Sequence, residues 1–307
     1  MQYIKLSQLS VWPLVTLGLL SSLAFGVVFS PVTHADTTIT LSPTAHRLEI
    51  EPKKTYNGAL TVINSGNDQL DIRVYSAPYQ VQNEAYDPVF SKDTPRTQIS
   101  RWVKFEKDSY TLAPSQQLRV PYTITTPDSI PEGGQYAAIF AETNDKPDGA
   151  IVRKKRVGML VYAKPQGETN ESGKVELAAP GILQLGSDLT LRERLINSGN
   201  TDLTGEIDVR ATDLFGKEVF SQKQQKVVLP DTARQVPVEW KNTPGVSIVK
   251  LSQAVQFAGK KTTNEQWVLL IKPLWALTIS AAITLIIGGV IYAIHRPKKR
   301  QKIRRLR

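Results

Sequence analysis

Cysteine is absent from the 307 residues, which excludes a disulfide framework, a thiolate zinc site and a thiol nucleophile. Histidine is nearly absent too: there are three, His34, His46 and His295. The first lies beside an export-type cleavage site and the last beside a long apolar run, so only His46 remains for imidazole chemistry. A histidine triad or a multi-histidine metal site therefore has too few residues within one chain. Acidic residues are missing from both ends, all 28 of them falling within 36–273. Sustained helical periodicity is missing from the same region, which argues against a helical bundle. With 21% charged and 41% hydrophobic residues, the chain is neither disordered nor a polytopic membrane protein.

The net charge of +10 is unevenly placed. Eight cations and no anion occupy the last twelve residues, among them Arg296, Lys298, Lys299 and Arg300. Setting aside those eight and Lys5, the 38 lysines and arginines leave 29 cations against 28 acids in the central region. A basic pI would suggest nucleic acid if the charge covered a domain. Confined to a tail, it implies no nucleic-acid partner.

Both ends address a membrane. Lys5 precedes the apolar run Val11–Ser30, and Thr33 and Ala35 are small residues placed for cleavage before Asp36. Residues 1–35 thus read as a secretory signal peptide, the alternative being an uncleaved anchor, since the apolar run is long for a signal. Near the other end, 274–294 is LWALTISAAITLIIGGVIYAI, with no charge in 21 residues. At about 1.5 Å per residue it spans about 31 Å, the thickness of a hydrocarbon core. Trp267, Trp275 and Tyr292 flank it where aromatic rings suit the interface. The basic segment 295–307, with Arg296, Lys298, Lys299 and Arg300 closest to the span, then holds the C-terminus in the cytoplasm. The expected localisation is single-pass in the plasma membrane, with 36–273 outside. Leu229-Pro230-Asp231-Thr232-Ala233 approaches a sortase motif but lies about 40 residues before the span, and reads instead as a loop between strands. Along the span, Ala276, Ser280, Thr284 and Gly288 recur every four residues as a ridge of small side chains, a candidate face for helix association.

The exported region alternates with period two. Leu118, Val120, Tyr122 and Ile124 share one strand face, with Pro121 on the other face marking an edge strand or bulge. Similar runs occur at 70–75, 207–211 and 236–240, separated by NSGN, PEGG, LFGK, LPDT and NTPG. Many short strands with such punctuation predict an all-β chain. The pentapeptide Ile63–Asn67 recurs as Ile196–Asn200, and a Leu/Pro turn before an alternating strand recurs at 112–124 and 229–240. Two related Ig-like antiparallel β-sandwich domains follow, at 36–167 and 174–272. The first copy is longer, and an insert at about Gln80–Ser100, with Tyr79, Tyr86 and Phe90, accounts for the difference. These aromatics either offer contact area on a loop or pack onto their own domain. Tyr136, after the Gly133-Gly134 turn, opens a strand apolar on both faces and suits a tyrosine corner.

Arg153, Lys154, Lys155 and Arg156 form a run that reads either as a contact for anionic polymer or as a charged edge strand. Alternation divides it, sending Arg153 and Lys155 to one face and Lys154 and Arg156 to the other. No carboxylate pair stands out for glycoside hydrolysis: Glu132 and Glu142 flank a strand and Asp213 precedes a turn. No catalytic, cofactor or metal residues are assigned, and no cofactor is implied.

The repeated NSGN, the stretch 101–142, the Ile130–Ile139 segment IPEGGQYAAI and the terminal helix with its basic tail resemble the WxL-interacting surface proteins, whose first domain carries the DUF916 description. The resemblance implies peptidoglycan attachment by the first domain and a WxL-bearing partner on the second. It transfers no site residue. The expected function is that of a non-catalytic, membrane-anchored surface protein whose partners are the membrane, peptidoglycan or another wall polymer, and a secreted surface protein. The alternative is an extracytoplasmic assembly chaperone that lends an edge strand to secreted subunits. A glycan-active enzyme is a third reading.

Overall fold

The computed structural model describes residues 39–144, 154–167 and 169–295. The signal segment, Arg153 and the basic tail with Arg296, Lys298, Lys299 and Arg300 lie outside the described residues.

Two β-sandwiches precede one apolar helix. In the first, β1 (Ile39–Ser42), β3 (Thr55–Asn64), β9 (Gln117–Thr125) and β7 (Val103–Phe105) form one sheet, in the order β1-β3-β9-β7. The facing sheet orders β2 (Ala45–Ile50), β11 (Arg156–Pro165), β10 (Gln135–Thr143), β4 (Leu70–Pro78) and β8 (Ser109–Leu112) as β2-β11-β10-β4-β8. The first strand is thus split at Pro43-Thr44: β1 pairs antiparallel with β3, and β2 pairs parallel with β11. The second sandwich repeats this plan. Strands β12 (Gly173–Glu176), β14 (Leu189–Asn197) and β17 (Thr232–Trp240) form its smaller sheet. The larger is β13-β19-β18-β15-β16, from β13 (Leu183–Leu185), β15 (Leu203–Thr212), β16 (Glu218–Val228), β18 (Val246–Phe257) and β19 (Lys260–Ile271). Here β12 pairs antiparallel with β14 and β13 parallel with β19.

The repeated NSGN has a physical role in each copy. Asn64 is fully buried; its Nδ2 donates to the carbonyls of Asp68 (2.7 Å) and Ala113 (3.0 Å), and its Oδ1 accepts the Gly66 amide (3.0 Å). Asn197 does the same with Thr201 (2.8 Å), Val228 (2.8 Å) and Gly199 (2.9 Å). Each asparagine therefore ties its own turn to the later Leu/Pro turn, giving buried backbone groups a hydrogen-bond partner.

Alternation places Val120, Tyr122 and Ile124 in the first core, with Leu118 half-buried at its rim. Strand β9 is not an edge, which corrects the expectation drawn from Pro121. It lies between β3 and β7, but β7 ends at Phe105, opposite Tyr122. Pro121 comes just beyond that end, so its missing N–H meets no acceptor. Pro237 does sit on an edge, since β17 pairs only with β14. Strand β10 is buried on both faces: Ala137, Ile139 and Ala141 enter the first core, while Tyr136, Ala138 and Phe140 are covered by the insert and the second sandwich. The second core is built around Leu195, Ile207, Leu251 and Trp240.

Strand β19 runs through Lys272 into helix α2 (Pro273–His295), with proline at its first position, where the absent N–H costs nothing. The turn of helix α1 (Ile99–Trp102) leads from the insert back to β7.

Candidate functional site

The split first strand leaves a slot. Strand β2 covers β11 only from Leu160 to Pro165. The Lys155 carbonyl faces β10, accepting from the Thr143 amide, and the Leu160 amide faces the opposite way, donating to Thr44 (3.0 Å). By alternation, the amides and carbonyls of Arg156 and Gly158 point toward the side that β2 has left. Among the described residues no strand pairs with them there. Beneath the slot, Leu41 of β1 and Val157 of β11 are half-buried against the first core. The slot therefore offers a row of backbone groups above an apolar floor. An edge at Arg156 was one reading of the basic run, but the gap that β2 leaves was not anticipated from the sequence; its signal is Pro43 between β1 and β2.

At the corresponding place in the second sandwich, β13 pairs with β19 only from Leu269 to Ile271, and among the described residues no strand pairs with the outer edge of β19 before it. The segment before β13 runs alongside β19 and is held by side chains. Gln266 Nε2 donates to the Pro180 carbonyl (2.7 Å), and Gln253 Nε2 to the Ala178 carbonyl (2.9 Å) and to Glu193 Oε1 (2.8 Å). Glu193 Oε2 accepts the Ala178 amide (2.9 Å). Burial pushes the Glu193 carboxyl above the usual carboxylate range, against those two hydrogen bonds.

The insert joins the sandwiches. Its hairpin, β5 (Gln80–Val81) and β6 (Pro88–Val89), carries Glu84 and Tyr86 to the second domain. Arg194 donates from Nε and Nη2 to the Glu84 carboxylate (2.7–3.0 Å) and from Nη1 to Glu176 (2.9 Å). That fork holds the Glu84 carboxyl below its usual range. The Tyr86 hydroxyl lies 2.9 Å from Thr232 Oγ1 and accepts the Leu229 amide, under the Arg234 guanidinium, 4.2 Å from the ring centroid. Tyr79 and Phe90 pack instead on their own domain, with Phe90 edge-on to Phe140 at 4.8 Å. Arg96 reaches the Asn200 carbonyl (2.9 Å) and Asp231 (2.8 Å), and Arg47 reaches Asp202 (2.6 Å). The expected tyrosine corner is corrected here: the Tyr136 hydroxyl donates to the Asp202 carboxylate of the second sandwich (3.3 Å). Its ring is buried where the two domains meet, so the nearest acceptor lies across the junction.

The basic run is dispersed. Lys154 pairs with Glu142 (3.4 Å), and the Arg156 guanidinium carbon lies 4.3 Å from the Phe140 centroid and 5.4 Å from that of Phe90. Lys155 lies on the other side of the strand, its amide donating to Thr143 Oγ1 (3.1 Å). The Tyr75 hydroxyl donates to Glu142 (2.8 Å), and this bond chiefly lowers the Glu142 pKa. His46, on β2, meets the Tyr122 hydroxyl through Nδ1 at 2.5 Å. Burial lowers the imidazole pKa and pushes the Tyr122 hydroxyl up to about 12. Ser280, Thr284 and Gly288 share one exposed face of α2, with Ala276 half-buried on the same face. The Ser280 and Thr284 hydroxyls donate to carbonyls of their own helix, Leu277 (2.8 Å) and Ser280 (2.9 Å).

No family model and no curated protein matches the chain. Among solved structures, it is similar to a chain of the chaperone–tip adhesin complex of CFA/I fimbriae biogenesis, at 12% identity and a TM-score of 0.38, covering 76% of this chain and 99% of that one. It is also similar to the class 5 fimbriae chaperone CfaA, at 13% identity and a TM-score of 0.37, covering 75% and 99%. The E. coli chaperone DraB gives 16% identity and a TM-score of 0.35, covering 75% and 98%. Similarity this low carries no argument about function.

Proposed function

We propose that the chain is a membrane-tethered, non-catalytic binder that takes up an extended segment of a secreted protein as an added strand beside Arg156–Met159. The observation that carries this reading is the slot itself. Outward amide and carbonyl groups of Arg156 and Gly158 stand above the half-buried Leu41 and Val157. An extended peptide satisfies such groups by strand addition, and its alternate side chains reach the apolar floor. This is the chemistry of an assembly chaperone that lends an edge. The tether is supported by α2, 23 residues long, in which an 18-residue stretch has a mean hydropathy of 2.2 and is not buried by the rest of the chain. The resemblance to WxL-interacting proteins also implies a secreted protein partner, but on the second domain. The binding domain therefore separates the two readings.

A photo-crosslinking residue at Arg156, in the full chain within producing cells, tests the proposal. The expected product is an adduct with a secreted protein, while the same probe at Ser221, on the β16 edge of the second sandwich, yields none. Equal adducts from both positions, or adducts from Ser221 alone, would overturn the reading. Adducts confined to newly exported subunits mark assembly assistance; adducts with mature surface protein mark a receptor.

A further inference from the structure

Outside α2, every large hydrophobic side chain that stands exposed among the described residues belongs to the second sandwich, and all of them gather at one end of its larger sheet. The pairing register shows this. Leu185, Ile271 and Val246 form one row across β13, β19 and β18, and Leu183, Leu269 and Ile248 form the next. Both rows project from the outer face, because the intervening Val268, Leu270 and Val249 are buried in the core. Leu185 is 65% exposed and Ile248 43%. The third row is Trp267 opposite Lys250, whose ammonium pairs with Glu265 at 2.6 Å. Beyond it the face turns polar with Glu265 and Ser252.

A second apolar element lies at the same end. Strand β15 finishes at Thr212, opposite Lys250, so the turn that follows extends to the level of the first two rows. At its tip Phe215 is 94% exposed, fixed by an Asp213 Oδ1 that accepts the Phe215 and Lys217 amides (2.9 and 3.0 Å).

This end is where α2 begins. Only Lys272 separates Ile271 from Pro273, and its amide donates to the Gly245 carbonyl (2.8 Å). The Trp275 indole packs on Gly245 so closely that a Cβ there would meet its nitrogen at 2.5 Å. The apolar sheet face and the apolar helix are thus one continuous surface, joined without a flexible linker. From the Ile271 row to the Trp267 row is four residues, about 14 Å of strand. The headgroup layer on one side of a bilayer is only about 5–7 Å deep. An upright sheet would wet most of these side chains, whereas a leaning sheet immerses them all. Trp267 and Lys250 then lie at the waterline, where an indole and a lysine stem suit the interface.

We infer that the second sandwich leans its β13-β19-β18 face and the Phe215 turn onto the lipid bilayer, so that this domain is docked on the membrane as well as tethered to it. The inference rests on α2 spanning a membrane. Because the chain has no cysteine, single-cysteine variants of the full protein carry one environment-sensitive fluorophore each. They are reconstituted into phosphatidylcholine vesicles with and without a nitroxide-bearing lipid. Thr284→Cys reports the helix, Ile248→Cys and Phe215→Cys report the docked face, and Lys107→Cys reports the first sandwich. The expected result is blue-shifted emission and quenching at 284, 248 and 215, with neither at 107. Quenching at 284 without quenching at 248 and 215 overturns the docking and leaves the tether. Absence of quenching at 284 removes the tether and the docking with it. A blue shift at 248 without lipid quenching means that protein, a second copy or a partner, covers the face, and likewise overturns the inference.

Discussion

The two sandwiches share a plan and differ at one place in it. Each splits its first strand between two sheets, and each thereby leaves part of its last strand without a neighbour. In the second domain the chain's own segment before β13 lies beside that gap, held by Gln253, Gln266 and Glu193. In the first domain the floor is Leu41 and Val157, which offer no hydrogen bond to hold such a segment. The second domain holds its own segment there through polar side chains; the first leaves an apolar floor with bare backbone above it. The exposed surfaces differ in the opposite sense. Among the described residues the first sandwich exposes no large hydrophobic side chain, whereas the second gathers them beside α2. One domain presents bare backbone at a strand edge and the other presents apolar side chains beside the helix.

The comparison can be sharpened by mutation. The largest effect is expected in the first core: Ile124, fully buried, should lose about 2–5 kcal/mol on replacement by alanine, whereas Thr123→Ala should be nearly silent. Chemical denaturation of residues 36–273 measures both, and equal losses would show the β9 register to be wrong. Next come the repeated clasps. Asn64→Ala and Asn197→Ala should each cost about 1–3 kcal/mol, because each leaves buried backbone groups unpaired. Markedly unequal losses would break the equivalence of the two copies. Gln253→Ala should cost about 1–3 kcal/mol on the same ground and should speed amide exchange at Ala178 and along β13. Unchanged exchange would mean that the segment before β13 does not depend on this side chain.

The smallest effect is expected from pH, with opposite signs in the two domains. Folding lowers the His46 pKa, so the unfolded chain takes up that proton first. The first sandwich should therefore lose stability as pH falls below the usual imidazole range, about 6.5. Folding raises the Glu193 pKa, so the folded chain keeps that proton longer. The second sandwich should lose stability as pH climbs above the usual carboxylate range, about 4.3, until the folded carboxyl has ionised. Calorimetry of His46→Gln and Glu193→Ala across pH 4–8 should remove the two slopes separately. A slope that survives its own substitution would reassign it.

Period-two alternation was enough to predict strands, core faces and two related domains, because a pleated strand half buried in a sandwich imposes that pattern on its own residues. The recurrence of NSGN was equally legible as a repeat, whereas the bond from each asparagine to the later Leu/Pro turn was not. The apolar run at 274–294 was visible because its length and composition are properties of the segment alone. What contacts across the chain decide was not legible. That Glu84 meets Arg194, that Tyr136 turns to Asp202 and that Pro121 lies just past the end of β7 all depend on partners distant in sequence. The slot belongs to the same class. The sequence offered an edge strand at Arg153–Arg156 as one of two readings, but only the tertiary structure, by sending β1 to one sheet and β2 to the other, decided that the outer edge of Arg156–Met159 would stand without a neighbour among the described residues. An edge is defined by what does not pair with it, and the pairing of strands is set by packing two sheets around one core.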